Sequence, residues 1–480
     1  MTGVGRRTFV GGMATALGAA VLPARAWAAM GEPKLRFGVV SDVHIGGRKE
    51  APQRLEATLK WLDAKKVDAV LFPGDIAHTG QIRQMEQFAA IWNRFFPKQV
   101  AVSDGRRVEI MISTGNHDAW EMGLAKQTEE NKRKNWLFYS DNAARTWHRL
   151  FGETFEPVWR KEVRGYTFLG AQWPTFKPEL EKYMAAHGKE LDPTKPFFYC
   201  QHEHPKGTCH GSYGCGYDRG QSVRALSPYP NAVAFSGHSH CSPLDERAVW
   251  QGAFTSIGAG CLHEGGLAFG HDNCTAFWHP SYKKNLQGPL NDHAAAWGGD
   301  PDGGCFLYVE VFDGHLVVER RSSVYGLPLG PAWDIPVPSK QDGPFDFAKR
   351  KACRVAPQFG ADASLKVEVC PQGSPLATPT RRKEPCVRVV VPNAGPVDGC
   401  RVFDYEMTAV AGGKTLAKGR VFAAGFSLPA EQADRPTDWL VALADLPKGE
   451  DVIFTATPCD CFGVAGRTLS SAPFRIEIRA

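Results

Sequence analysis

Five short polar clusters in the first half of the sequence carry side chains suited to holding metal ions: Asp42-x-His44, Gly74-Asp75, Gly115-Asn116-His117-Asp118, Gln201-His202-Glu203-His204 and Gly237-His238-Ser239-His240. Any one of them has ordinary structural uses. In combination they offer carboxylates, a side-chain amide and imidazoles without a cysteine, a donor set that suits manganese, iron or zinc. Such a set gains a purpose if two ions are held side by side. Hydrolysis of a phosphate ester is slow because an anionic ester repels an anionic nucleophile and because the departing alkoxide is a poor leaving group. Two cations about 3.5–4 Å apart stabilise both charges, and a bound cation brings the pKa of water down to about 7, so that no separate general base is required. A carboxylate able to bridge the ions, with neutral imidazole and amide donors around it, leaves the residual positive charge that attracts phosphate.

Side chains of this kind need rigid elements to deliver them. Residues 35–41 read as a short buried strand ending at Asp42 and His44, 69–72 as one emptying into Gly74-Asp75, and 109–113 as one emptying into Gly115-Asn116. Residues 197–200 precede His202, and 232–235 precede Gly237-His238. A helical repeat, Leu55, Leu59 and Leu62 within residues 54–63, separates the first two strands. This alternation predicts an α/β layered domain, and open α/β sheets bind ligands beyond the carboxyl ends of their strands. All five clusters are therefore expected along one sheet edge. Residues 120–148 read as helical and as a wall of a substrate cleft, and 261–304, rich in Gly, His, Asn and Trp, as either a rim above the site or a surface insertion. Residues 305–324 alternate as a hairpin turning at Asp313-Gly314. The proline-bearing stretch 328–358 reads as a linker, and beyond it residues 365–369, 387–391, 403–409, 421–426 and 452–457 predict a small all-β sandwich.

Taken in order, each behind an expected strand, the five clusters resemble those of the calcineurin-like metallophosphoesterase superfamily, whose relatives include purple acid phosphatases, cyclic-nucleotide phosphodiesterases and nucleotidases. The resemblance runs over roughly residues 35–324. It implies a β-sandwich flanked by helices and a pair of divalent or trivalent ions, manganese, iron or zinc. By that resemblance Asp42, His44 and His240 would hold the first ion and Asn116, His202 and His238 the second, with Asp75 bridging and a bridging hydroxide as the nucleophile. His117 would protonate the leaving oxygen or steady the phosphoryl group. Asp118 would orient His117 by accepting its other N–H, or would cap a helix. The fourth cluster offers two histidines where one is required; His202 lies nearer the strand end, and His204 is the alternative. Purple acid phosphatases use a tyrosine ligand, and Ile76-Ala77-His78 shows none where theirs would stand, which speaks against tyrosinate-bound iron. The tail resembles a fibronectin type III module, mostly a spacer or docking surface. The implied organisation is an export signal over 1–29, a metallophosphoesterase domain over 30–327, a linker over 328–358 and a fibronectin type III-like sandwich over 359–480.

The signal is read from Arg6-Arg7-Thr8-Phe9-Val10, a Gly- and Ala-rich apolar stretch, and the small residues of Ala26-Trp27-Ala28. This is a twin-arginine pattern, although Gly5 stands where Ser or Thr is usual and the general secretory route stays open. The apolar run is shorter than the roughly 20 residues of a membrane span. A periplasmic or secreted protein is expected, with metal loaded before export on the twin-arginine route. Thirteen cysteines fit an oxidising compartment but leave one odd; Cys209 with Cys215 and Cys459-x-Cys461 are local candidates for disulfides or inert thiols. Totals of 56 basic and 51 acidic side chains, with no run of one sign, argue against a nucleic-acid surface. The expected activity is therefore hydrolysis of a small-molecule phosphomonoester or phosphodiester. A non-catalytic adhesion protein with a relic site is disfavoured by the complete donor set, and an extracellular nuclease by the missing basic stripe. Arg219 and Arg247 are candidates to grip an anion or to form structural ion pairs, and Trp120 and Trp173 to stack on a base or sugar or to fill a core.

Overall fold

Strand positions between Leu35 and Pro73 are apolar almost throughout rather than at alternate residues, so these strands must be covered on both faces. The computed structural model describes residues 31–119, 121–175, 177–210, 218–266, 271, 300–340, 343–377, 380–395 and 401–476. It meets the demand with two sheets packed face to face and helices outside each. Strands β1 (Leu35–Val39), β2 (Ala69–Pro73) and β3 (Glu109–Ser113) run parallel in the first sheet. Strands β4 (Val158–Val163), β5 (Tyr166–Ala171), β6 (Phe197–Cys200), β7 (Ala232–Ser236), β8 (Val249–Gln251) and β9 (Thr255–Gly258) make the second, in the order β4-β5-β6-β7-β9-β8. The hairpin β10 (Cys305–Phe312) and β11 (His315–Ser322), turning at Asp313-Gly314 as expected, returns to the first sheet antiparallel to β1.

Between the sheets, Phe37, Val39, Leu71 and Met111 meet Phe168, Phe198, Phe235 and Ile257. Phe37 sits at the centre, its ring centroid 5.3, 4.9 and 5.6 Å from those of Phe168, Phe198 and Phe235. The opposite faces of the same strands look outward: Val70, Phe72, Ile110 and Ile112 pack on helices Ala51–Ala64 and Ile82–Phe95 through Leu55, Leu59, Phe88 and Trp92. Each such side chain contributes about 1.5–3 kcal/mol when fully buried. On the far side, Leu169, Tyr199 and Ala234 pack on Leu180 and Met184 of helix Glu179–His187. The sequence placed all five clusters along one sheet edge. Instead, the first three leave β1, β2 and β3 in one sheet and the last two leave β6 and β7 in the other, because both sheets point their carboxyl ends the same way and the site straddles the sandwich.

Residues 120–148 do not make one helical wall; the helices there and just beyond are the short segments Glu121–Leu124, Glu129–Asn135 and Asn142–Phe151. Trp120, the export signal and Cys215 lie outside the described residues. The stretch read as a linker is built into the fold. Its strand β12 (Trp333–Pro336) completes the first sheet in the order β12-β11-β10-β1-β2-β3, and Trp333, Ile335, Val337 and Phe345 join the core between the sheets.

Past residue 358 every strand pairing is antiparallel. Strands β13 (Lys366–Cys370), β14 (Cys386–Val391) and β17 (Thr437–Ala442) face β15 (Asp404–Ala411), β16 (Lys414–Phe422), β18 (Asp451–Cys459), β19 (Leu469–Ser470) and β20 (Phe474–Arg475). Val387, Val389, Trp439 and Val441 pack there against Tyr405, Met407, Phe454 and Ala456. The chain is thus an α/β sandwich followed by all-β sheets, as the sequence implied. Among the described residues the ten cysteines carry free thiols, and Cys209, Cys459 and Cys461 are buried, which is the inert-thiol alternative of the two read from the sequence. No helix among the described residues is long and apolar enough to cross a membrane.

Candidate metal centre

The turns that leave the strands curl sharply inward. Asp42, His44, Asp75, His238 and His240 all have positive φ, between 50° and 67°, a region that side chains with a Cβ rarely occupy. A backbone ladder holds the first two turns in this shape: Asp42 N donates to Gly74 O (3.1 Å), His44 N to Asp75 O (2.9 Å) and Ile45 N to Ile76 O (2.8 Å). Two motif glycines are dictated by close approach. A Cβ on Gly115 would fall 2.2 Å from Asp75 Oδ1, and one on Gly237 would fall 1.9 Å from Ser41 Oγ and 2.2 Å from Asp42 Oδ2.

The side chains so delivered form two adjoining groups. In the first, His240 Nε2 is 3.1 Å from Asp42 Oδ1 and 3.2 Å from His44 Nε2, which is 3.8 Å from Asp42 Oδ1 and 3.7 Å from Asp75 Oδ2. In the second, His202 Nε2 is 3.1 Å from Asp75 Oδ2, 3.0 Å from Asn116 Oδ1 and 3.1 Å from His238 Nδ1. Asp75 Oδ2 belongs to both groups. Tautomers are set from behind: His202 Nδ1 donates to Pro73 O (2.9 Å) and His240 Nδ1 to Glu264 Oε1 (2.7 Å), which turns each Nε2 lone pair into the centre. Asp42 and Asp75 are fixed in turn by the amides of His238 (3.0 Å) and His117 (2.8 Å).

Such convergence demands positive charge, since facing lone pairs near 3 Å repel unless a proton or a cation lies between them. Burial by itself raises the Asp42 and Asp75 carboxyls, but His240 and His44 beside the one, and His202 and His44 beside the other, hold both below the ordinary carboxylate range. In exchange His202, despite burial, is pushed up to about 10 by Asp75, while burial and the charge of His202 drive His238 down to about 3. Metal ions held among these donors would supply the same positive charge. The donor chemistry fits two ions, and the triads Asp42–His44–Asp75 and Asp75–His202–His238 each bring their ligand atoms within 4.8 Å of one another.

Residues 35–242 match the family model described as calcineurin-like phosphoesterase. Over this segment the chain is similar to that family. Among solved structures the chain is similar to a dimetal phosphatase from Danio rerio, at 10% identity over 63% of this chain and 100% of that one, with a TM-score of 0.37. It is also similar to purple acid phosphatase PPD1 from yellow lupin, Lupinus luteus (15% identity, 63% and 53% covered, TM-score 0.40). A third is GAP50, the anchor in the inner membrane complex of Plasmodium (12% identity, 66% and 94% covered, TM-score 0.36). No curated protein matches the chain.

All seven residues expected to hold metal come together, and of the two histidines in the fourth cluster it is His202 that reaches them. His204 spends both ring nitrogens on Ser236 Oγ and Ser239 Oγ, each at 2.7 Å. His117 also faces the centre, its ring centroid 4.6 Å from that of His44. The orienting role expected of Asp118 is corrected: His117 Nδ1 donates to the His78 carbonyl (2.8 Å), not to Asp118. Asp118 instead accepts the amides of Ala77 (2.7 Å), Gly115 (2.8 Å) and Ile76 (3.3 Å), tying the Asp75 turn to the Asn116 turn. Arg247 is no anion grip either, being buried with its guanidinium on Asp245 at 2.8 and 2.6 Å. Arg219 is exposed on the turn before helix Gln221–Leu226. Trp173, 6.4 Å from His202 between ring centroids, lines a groove with Phe138, Phe155 and Pro174.

Sequence reasoning missed four residues around this centre, Arg48, His78, His263 and Glu264. His78 places Nδ1 3.1 Å from His44 Nδ1. His263 packs against His44 and His240, and Glu264 holds His240 while accepting Arg48 Nη2 at 2.5 Å. The usable signal for His263 and Glu264 was positional: they follow β9, a further parallel strand beside β7.

Proposed function

We propose that the protein is an exported phosphoesterase that holds two metal ions and hydrolyses a phosphomonoester or phosphodiester of a small molecule. The observation that carries this reading is the sharing of Asp75 Oδ2 between two donor groups, Asp42, His44 and His240 on one side and Asn116, His202 and His238 on the other. Two ions held there would polarise a phosphoryl oxygen and supply a water-derived nucleophile at neutral pH. His117, whose Nδ1 donates to the His78 carbonyl and whose ring faces the centre, is placed to give a proton to the departing oxygen when the imidazole is charged. Trp173, Phe138 and Phe155 give the neighbouring groove an apolar wall for the organic part of the ester. Export by the twin-arginine route rests on the Arg6-Arg7 sequence, and the antiparallel C-terminal sheets are consistent with a fibronectin type III-like spacer or docking module.

The test is turnover of bis-p-nitrophenyl phosphate and p-nitrophenyl phosphate by protein reconstituted with manganese, iron or zinc. Metal-dependent hydrolysis that disappears in Asp75→Asn is expected, and the ratio of the two rates ranks diester against monoester. Two bound metals with no turnover of either ester would overturn the catalytic reading.

A further inference from the structure

His263 is an imidazole without a hydrogen bond at a place where one is needed. It is only 6% exposed, and neither ring nitrogen has a hydrogen-bond partner among the described residues. Buried polar atoms are nearly always satisfied, so two orphaned nitrogens on one ring point to a missing partner. The adjacent Glu264 does not supply it. Its carboxylate lies 3.7 Å from His263 Nδ1 and is already engaged by His240 Nδ1 and Arg48 Nη2. The ring stands edge-on to His44 and His240, with centroids at 4.8 and 5.6 Å. One of its nitrogens lies within 4.8 Å of a ring nitrogen of each of those residues. Donors on opposite sides of one ion, each at about 2.1 Å, are about 4.2 Å apart, so a small adjustment brings all three imidazoles onto a single cation.

We propose that His263 is a third imidazole donor to the first metal ion, beside His44 and His240, and that the resulting set with Asp42 and Asp75 narrows the advantage of zinc over manganese and iron. This rests on the dinuclear reading above. Zinc settles with four donors, whereas five protein donors of mixed nitrogen and oxygen suit ions that accept six. Zinc otherwise outcompetes manganese and iron at sites of the same type, so a fifth donor is a means of selection. Glu264 fits the same purpose, since it turns the His240 lone pair toward the ion from the residue next in sequence.

The experiment compares the full chain with His263→Ala and His263→Gln, reading metal stoichiometry, manganese and zinc affinities, and the number of imidazoles on manganese by pulsed EPR. The wild type is expected to bind two manganese ions. Both variants should weaken one of them about tenfold or more, leave the other unchanged and lose less affinity for zinc. One imidazole fewer should be counted, and added imidazole should restore the weakened site in His263→Ala. Unchanged manganese affinities and an unchanged imidazole count in both folded variants would overturn the role of His263 while leaving the two-metal reading intact. A wild type that binds fewer than two ions would overturn both.

Discussion

Asp118 is the residue whose surroundings most change what a substitution should do. Its carboxylate receives three backbone amides from two different ligand-bearing turns, and burial with the nearby Asp75 charge pushes it up to about 7. Asp118→Asn replaces one accepting oxygen by an amide nitrogen that faces an N–H, leaving at least one buried donor unsatisfied at a cost of about 1–3 kcal/mol. Lower thermal stability and weaker metal binding are expected, with the part of the pH–rate profile set by His117 unchanged because that ring is oriented by the His78 carbonyl. A shifted His117 limb at unchanged stability would restore the orienting role. This contrast marks what was legible residue by residue. The seven donors are visible in sequence because strand ends announce them, whereas the partner of His117 is a backbone carbonyl, to which sequence gives no clue. His78 and His263 were hidden for a related reason, since each stands several residues beyond its strand and meets His44 only through folding.

Elements were legible where apolar runs were long and stopped at a turn signal. β3 and β6 were placed to the residue, and the β10–β11 hairpin declared itself by alternation around Asp313-Gly314. Assignment of the strands to two sheets was not legible, because covering both faces of β1–β3 calls for apolar residues whether the partner is a helix or another sheet. The prolines of residues 328–358 concealed β12, a four-residue edge strand, and edge positions are where a sheet tolerates proline. Trp333 decides its nature: it is 1% exposed, packs within the inter-sheet core, and carries the Arg320 guanidinium 4.3 Å above its ring. Trp333→Ala should cost about 3–5 kcal/mol in urea unfolding, the range for aromatic truncation in a core. A loss below about 1 kcal/mol would return this stretch to the status of a linker.

At the scale of the whole molecule, the α/β sandwich and the C-terminal sheets share a core rather than touching across a seam. Leu244 and Leu329 sit in the same apolar cluster as Phe403, Phe426 and Phe462. A buried ion pair stands at this junction: Asp245 binds Arg247, whose guanidinium lies 5.1 Å from the Phe403 ring centroid. Burial raises the Asp245 carboxyl, but Arg247 outweighs it and holds the group at about 2 against an ordinary 3.8. The folded pKa is below the unfolded one, so the associated stability is complete above about pH 4 and is lost as pH falls through 2. At 1.36 kcal/mol per unit that pH-dependent part is about 2 kcal/mol. Asp245→Asn removes the carboxylate held 2.6 Å from the buried Arg247 guanidinium and should cost about 3–5 kcal/mol at neutral pH. His210 Nδ1, 3.7 Å from Asp245, is held down to about 4 by burial, and its titration is common to both proteins and largely cancels in their difference. Urea unfolding of the wild type and Asp245→Asn between pH 7 and pH 3 should therefore show a wide gap in stability that narrows below pH 4 because the wild type falls toward the variant. A gap of constant width would mean that the pair does not govern the junction, and a gap that widens on acidification would contradict the sign of the Asp245 shift.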